Sequence, residues 1–133
     1  MPTNIETVRA SYEAFHRRDL PGVLAALADD VAWTHPDGMN VLGLGGTKRG
    51  HDEVVAFIRH VPTHYAEIRL SPEEFIESGD RIVVFGSRRV TGVSGASAVL
   101  RFVHSWTFSG GKAATFEDYF DTVEMIRLVT GDG

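Results

Sequence analysis

The sequence predicts an α+β domain in which three N-terminal helices pack on a strongly curved, mainly antiparallel sheet around an internal pocket. Up to Pro62, apolar residues recur at the spacing of amphipathic helices. From His64 to Asp121 they alternate in four long segments that are separated by glycine-containing turns. Helices followed by an antiparallel meander are typical of α+β folds. A bent sheet wrapped around helices leaves a conical space, and we expect a ligand to bind there.

The first helix is expected to begin at a capping box, because Thr3 is followed three residues later by Glu6. Its apolar residues continue at helical spacing to about His16. A second, short helix follows, since Asp19 can cap it and Pro21 suits its first turn.

The acidic pair at 29–30 is expected to end the second helix. Residues 31–35 predict a short strand that stops at Pro36. Five glycines between 38 and 50 indicate a loop or a weak hairpin. A third helix is expected over 52–62, with carboxylates in its first turn and a proline at its end.

Composition indicates one domain, residues 1–133, because domains commonly contain about 100–150 residues. The chain has no cysteine, which excludes a disulfide scaffold, a thiolate metal site and a cysteine nucleophile. A net charge of -5 argues against nucleic acid and against an anionic membrane as partners. No apolar run is long enough to span a bilayer, and no export signal is visible at the N-terminus. We therefore expect a cytoplasmic protein.

One predicted strand carries a histidine in an otherwise apolar row. Leu100, Phe102, His104, Trp106 and Phe108 have the same parity, so they share one face of the sheet. His104 is the one ionisable group among them, which makes it a candidate for a functional role. The alternative is a core histidine that holds a backbone carbonyl.

Asp121 lies at the end of the last predicted strand, where we expect the rim of the pocket. A carboxylate at the mouth of an apolar cavity is poorly solvated, which raises its pKa and makes it a useful proton carrier near neutral pH. The alternative is that Asp121 caps a short C-terminal helix, since Glu124 follows three residues later.

The remaining motifs predict no metal or nucleotide site. The chain has no His-x-His and no His-Glu-x-x-His pattern. The glycines at 43–46 lack the Lys-Ser/Thr pair of a phosphate-binding loop. His35 precedes Pro36 at a strand end, where it is either a functional group or a residue that fills a bend.

Four sequence patterns are informative together. They are Tyr12-Glu13-Ala14-Phe15 with Arg18-Asp19-Leu20; Leu27-Ala28-Asp29-Asp30-Val31-Ala32-Trp33; Arg49-Gly50; and Gly111-Lys112 with Tyr119-Phe120-Asp121-Thr122. In this order they resemble the NTF2-like superfamily, and within it the SnoaL-like, ketosteroid-isomerase-related group. The resemblance covers nearly the whole chain and implies an NTF2-like cone with the pocket inside it.

The resemblance also marks positions of a site. Steroid isomerases have an Asp before Pro at the end of the first strand as base, and the matching position here is His35-Pro36. Their protonated Asp on a long strand, which donates to the oxyanion, corresponds to His104. Their first-helix tyrosine corresponds to Ser11, with Tyr12 one residue away.

Two other branches of the superfamily give different comparisons. Polyketide cyclases of the SnoaL type use an acid/base Asp near the end of the last strand, and Asp121 resembles it in position. Limonene-epoxide-hydrolase relatives need an Asp-Arg-Asp relay. Residues 88–91 read Arg-Arg-Val-Thr instead, which argues against epoxide hydrolysis.

The resemblance implies a cofactor-independent acid/base enzyme, an isomerase or cyclase-like lyase, that transfers a proton next to a carbonyl of an apolar, polyketide-type substrate. Asp121 or His35 would take the proton, and His104 would donate to the oxyanion. The residues expected to bind the substrate are Tyr12, Phe15, Trp33, Phe57, Phe102, Trp106 and Tyr119. The alternative is a non-catalytic protein that binds an apolar small molecule in the same pocket.

A homodimer is expected from the other face of the sheet. Val83, Phe85, Val99 and Val103 alternate with the pocket side and would form an exposed apolar patch. Patches of this kind usually mark an interface.

Overall fold

The structure, a computed structural model, describes residues 2–131. This part of the chain contains four α-helices and six strands. The helices are α1 (Asn4–His16), α2 (Leu20–Ala25), α3 (Gly50–His60) and α4 (Thr122–Thr130). The strands are β1 (Leu27–His35), β2 (Gly46–Arg49), β3 (Tyr65–Ser78), β4 (Arg81–Gly92), β5 (Ser97–Ser109) and β6 (Lys112–Tyr119). Within residues 2–131, no helix has the length and apolar character needed to cross a bilayer.

The six strands form one mixed sheet in the order β2-β1-β6-β5-β4-β3. All neighbours are antiparallel except β1 and β6, which run parallel. The sheet does not close, since β2 and β3 remain at its edges. Register shifts interrupt the pairing of β3 with β4 and of β1 with β6, and such bulges bend and twist a sheet. The predicted α+β fold with a curved, mainly antiparallel sheet is therefore confirmed.

The helices pack their apolar faces against the concave side of the sheet. At the start of α1, Thr3 accepts a hydrogen bond from the backbone N–H of Glu6, and the Glu6 side chain accepts one from Thr3, so the predicted capping box is present. Asp19 caps α2 through the N–H of Gly22. Val8 and Tyr12 on α1 and Val54 on α3 are buried members of the resulting core.

The segment between β1 and α3 is more regular than the sequence indicates. A 3-10 helix covers Asp37–Leu42, and β2 then pairs antiparallel with β1, with His35 opposite Gly46. β1 also begins earlier than expected, at Leu27, and the acidic residues at 29–30 lie within it, where the register against β6 shifts. Pairing with β6 at Leu27 and again from Ala32 holds the two aspartates within the strand, at the irregular part of its register.

The outer face of the sheet carries the residues that led us to expect a homodimer. Phe85 lies directly opposite Val103, and both side chains are partly exposed. Val99, on the same strand as Val103, is 57% exposed. The homodimer stays a prediction.

If this face forms the dimer, Val99→Glu will weaken it, because the substitution places a charge in a desolvated apolar interface. The control is Val93→Glu, since Val93 is 58% exposed but lies in the turn between β4 and β5. Light scattering during size-exclusion chromatography at micromolar concentration measures the mass of each protein. A monomeric parent protein, or equal loss of dimer in both variants, would contradict the prediction.

Candidate active site

A cavity of about 510 Å³ lies between the helices and the concave face of the sheet. This volume is within the range of about 300–1,000 Å³ that is usual for small-molecule sites. Its aromatic lining includes Tyr12, Phe15, Trp33, Phe57, Trp106 and Phe116. Its ionisable lining includes His35, Arg88, His104 and Asp118, which lie together on four neighbouring strands.

Strand register brings these four side chains together. His104 on β5 pairs directly with Asp118 on β6. Trp33 on β1 pairs with Phe116, so His35, two residues on, comes beside Asp118. The long side chain of Arg88 reaches from β4 across β5 to the same carboxylate.

Asp118 is the centre of the cluster. Its Oδ1 accepts a hydrogen bond from Arg88 Nη2 at 2.6 Å and lies 3.3 Å from His104 Nε2. Its Oδ2 lies 3.5 Å from His35 Nε2. The side chain is only 2% exposed, so three nitrogen-bearing side chains take the place of water around this carboxylate.

The charges within the cluster determine which groups are ionised. Burial by itself would raise the pKa of Asp118, but the adjacent charge of Arg88 and the smaller effects of His104 and His35 together outweigh it and lower the pKa of that carboxyl. Asp118 is therefore an ionised carboxylate at neutral pH. Because Arg88 holds its negative charge so firmly, Asp118 is a poor proton acceptor.

Both ring nitrogens of His104 have partners. Burial lowers the pKa of His104 despite the opposing charge of Asp118, so the ring is neutral near neutral pH. We assign the ring proton to Nε2, which faces Asp118, and Nδ1 then accepts from the hydroxyl of Tyr12 at 2.7 Å. Trp106 Nε1 donates to the same hydroxyl at 3.4 Å. A chain of hydrogen bonds thus runs from Trp106 through Tyr12 and His104 to Asp118.

His35 differs from His104 in having an unused ring nitrogen. Burial lowers its pKa to about 4, against the opposing effect of Asp118, so this ring is also neutral at neutral pH. With the proton on Nε2, facing Asp118, the lone pair is on Nδ1, which is buried and has no hydrogen-bond partner among the described residues. The ring packs against Phe57 with 4.4 Å between centroids and lines the cavity.

The structure brings most of the expected site residues to one cavity. His35, His104 and the aromatic residues Tyr12, Phe15, Trp33, Phe57 and Trp106 all line it. Three expected residues, Phe102, Tyr119 and Asp121, are not among the residues that line it.

Asp121 is placed at the N-cap of α4 rather than in the cavity. Its Oδ1 accepts from the backbone N–H of Glu124 at 3.1 Å, and the residue is exposed. The helix-cap alternative therefore describes its position, and the expectation that Asp121 and His104 face one cavity is corrected. The physical reason is parity: on β6 the buried, inward residues are Phe116 and Asp118.

Phe102 and Tyr119 lie outside the cavity for different reasons. Phe102 is on the expected face and is 1% exposed, but it lies in the core with its ring 4.1 Å from that of His104. Tyr119 is on the outer face of β6, half exposed, and its hydroxyl bonds Glu117. Neither side chain forms part of the cavity wall.

Arg88 and Asp118 are the residues that the sequence reasoning missed. Each interrupts an inward-facing apolar row: Arg88 lies two residues before Val90 on β4, and Asp118 lies between Phe116 and Phe120. A charged residue at a buried position on each of two nearby strands was the available signal, since buried charges are normally paired. Within residues 2–131, no group of three or more His, Cys, Asp or Glu side chains is placed to hold a metal ion.

The model of the SnoaL-like domain family matches residues 8–116. This chain belongs to the SnoaL-like family. The resemblance to the NTF2-like superfamily is thereby confirmed, and among proteins with curated descriptions none matches.

Three solved structures are similar to this SnoaL-like chain over nearly its whole length. An NTF2-like protein from Burkholderia pseudomallei is 75% identical, with a TM-score of 0.96, and the match covers 98% of this chain and 99% of that one. TerC, co-crystallised with polyporic acid, is 53% identical, with a TM-score of 0.94 and 96% and 98% coverage. An NTF2-like protein from Burkholderia thailandensis is 26% identical, with a TM-score of 0.87 and 96% and 98% coverage.

The lowered pKa of His35 predicts that acid will destabilise the protein before its carboxylates titrate. Between pH 6.5 and about 4 the unfolded chain binds a proton at His35 that the folded chain does not. The free energy of unfolding should therefore fall by about 1.4 kcal/mol for each pH unit lost in this window, for this one proton. Urea unfolding at several pH values measures the slope. His35→Gln should make it shallower, and an equal slope in both proteins would contradict the prediction.

The Arg88–Asp118 pair predicts a large loss of stability when one partner is removed. Asp118→Asn leaves Arg88 buried without a counter-charge, which should cost about 3–5 kcal/mol of unfolding free energy. Asp121→Asn is the matched control, because Asn and Asp cap helices about equally well. Urea unfolding compares the two, and a loss below about 1 kcal/mol in Asp118→Asn would show that the pair is not needed.

Proposed function

We propose that this SnoaL-like protein is an acid/base enzyme that moves a proton on a planar aromatic hydroxy-carbonyl compound, with His35 as the base. The observation that carries the proposal is the state of the His35 ring. It lines the cavity, it is neutral near neutral pH, and its Nδ1 has no partner in the described residues. The proposed reaction needs no cofactor.

Asp118 and His104, the neighbours of His35 in the cluster, are less suited to take the proton. Arg88 holds the charge of Asp118, and His104 uses both of its nitrogens. Asp118 supports His35 instead, because a carboxylate beside Nε2–H fixes the tautomer and stabilises the imidazolium that forms. Nδ1 is buried, so the ring must rotate to bring it to a ligand.

Tyr12 is the proposed donor to the developing oxyanion: its single O–H, which His104 Nδ1 accepts in the free protein, turns to the oxyanion when the ligand binds. Burial raises the pKa of Tyr12, so the phenol keeps its proton and can donate. His104 is a positioning residue in the free protein, where its Nδ1 accepts from the Tyr12 hydroxyl at 2.7 Å. This differs from the expectation that His104 itself donates.

The proposed substrate class rests on the cavity walls and on one similar protein. The walls include eight Phe, Tyr and Trp side chains, which suit flat rings. TerC was co-crystallised with polyporic acid, a dihydroxybenzoquinone that carries two phenyl rings and has each hydroxyl next to a carbonyl. A compound of this type offers a proton beside a carbonyl, as the proposed chemistry requires.

Binding without turnover is the second candidate function. The burial of His35 Nδ1 favours it, because a base must come within about 2.6–3.2 Å of the proton that it abstracts. The same cavity and the same ligand class would serve a binding protein.

Proton exchange on a hydroxynaphthoquinone separates the two functions. Lawsone has one ring hydrogen on the carbon between its hydroxyl-bearing carbon and a carbonyl, and loss of its NMR signal in deuterated solvent follows proton transfer at that carbon. We expect the protein to accelerate the loss of this signal. His35→Gln should reduce the acceleration by a factor of at least about 100, since general acid–base catalysis contributes about 100- to 10,000-fold.

Asp121→Asn is the matched control for this experiment. It keeps the helix cap and lies outside the cavity, so the exchange rate should not change. Acceleration that survives His35→Gln would overturn the role of His35. Quenching of fluorescence from Trp33 and Trp106, the two tryptophans of the chain, reports binding separately, because both line the cavity. Quenching without exchange would establish the binding function instead.

A further inference from the structure

Arg88 has donors that the protein itself does not use. A guanidinium carries five N–H groups. In the described part of the chain, the one hydrogen bond that Arg88 donates from its side chain goes from Nη2 to Asp118, and its Nε is buried without a partner. Arg88 lines the cavity although its side chain is only 8% exposed.

Two aromatic rings hold the guanidinium in place. Its Cζ lies 5.1 Å from the centroid of Phe102 and 4.7 Å from that of Phe120. Such contacts attract a cation to the ring faces and restrict its movement. The unused N–H groups are therefore presented in a fixed plane, a geometry that suits oxygen anions.

The charges of the cluster leave no spare positive charge for an anion. Arg88 and Asp118 balance one another, and both histidines are neutral. The groups that act on the charge state of His35 are Asp118 on β6, Arg88 on β4, His104 on β5 and Lys48 on β2. A ligand anion at Arg88 would add one buried negative charge, and His35 is the residue with a ring nitrogen free to take a compensating proton.

We propose that Arg88 binds the ionised oxygen of a hydroxyquinone and that His35 becomes protonated in the same complex. This inference rests on the proposed function and deepens it by naming the ionisation state of the ligand. When the ligand enters as the neutral acid, its O–H bond breaks, the electron pair stays on oxygen and the proton goes to His35. When it enters as the anion, His35 takes the proton from solvent.

Two ligands of the same skeleton test the subsite in the unaltered protein. Polyporic acid can ionise, whereas its dimethyl ether has no O–H and cannot. Measured by tryptophan quenching, the affinity for polyporic acid should be at least about 10-fold higher than the affinity for the dimethyl ether. This is the factor expected for a hydrogen bond to a charged group. Equal affinities would overturn the Arg88 subsite and leave the proposed function standing. If neither compound binds, the proposed substrate class itself fails.

Proton uptake tests the role of His35 directly. Titration calorimetry with ionised polyporic acid, in buffers of different ionisation enthalpy near neutral pH, gives the number of protons taken up on binding. We expect about one proton for the parent protein and about none for His35→Gln, because a glutamine cannot be protonated. Binding without proton uptake in the parent protein would overturn the coupling.

Arg88→Lys tests the planar fork while it keeps the charge beside Asp118. It should reduce the preference for polyporic acid over the ether by about 10-fold and leave the affinity for the ether unchanged. Arg89→Lys is the matched control, since Arg89 is the next residue on β4 and is exposed. An unchanged preference in a folded Arg88→Lys protein would overturn the proposal. If circular dichroism shows that Arg88→Lys does not fold, the two-ligand comparison decides alone.

Discussion

Moving a carboxylate and a guanidinium from water into a protein interior costs several kcal/mol for each ion, and close contact must offset it. The 2.6 Å contact between Arg88 and Asp118 meets this requirement across two strand intervals of the sheet. This contact fixes the positions of the two charges, and both neighbouring histidines place Nε2 next to Asp118. Without Arg88, only the smaller effects of His104 and His35 would oppose the rise in the pKa of Asp118 that burial causes.

The two histidines show how similar environments produce different chemical capacities. Both lie next to Asp118, and burial lowers the pKa of both. His104 faces Tyr12, which takes up its second nitrogen, whereas His35 faces the apolar ring of Phe57. The identity of one neighbour therefore decides which ring remains able to accept a proton and which ring holds a donor in place.

Local sequence signals predicted the elements well, because each depends on residues close in the chain. The capping box at Thr3 and the alternation along β5 are examples, and both are present. β2 could not be predicted in the same way, since its four residues have no apolar alternation and depend on pairing with β1.

The centre of the site was harder to predict because it depends on register between distant strands. His104 and His35 were found as polar residues in apolar or strand-end positions. Asp118 was passed over in favour of Asp121, three residues on, where a strand end and a helix cap coincide. The parity that Asp118 shares with Phe116 marks it as the inward carboxylate, but no local pattern reports that it pairs with His104.

The parallel pairing of β1 with β6 also has a consequence during synthesis of the chain. β1 leaves the ribosome early, but β6, the strand that pairs with it on the inner side of the sheet, is among the last segments to be made. Until β6 emerges, one edge of β1 has no strand to pair with, and Trp33 lacks the stacked ring of Phe116. A nascent chain of this protein therefore carries an open, partly apolar strand edge through most of its translation, which is the kind of surface that chaperones shield.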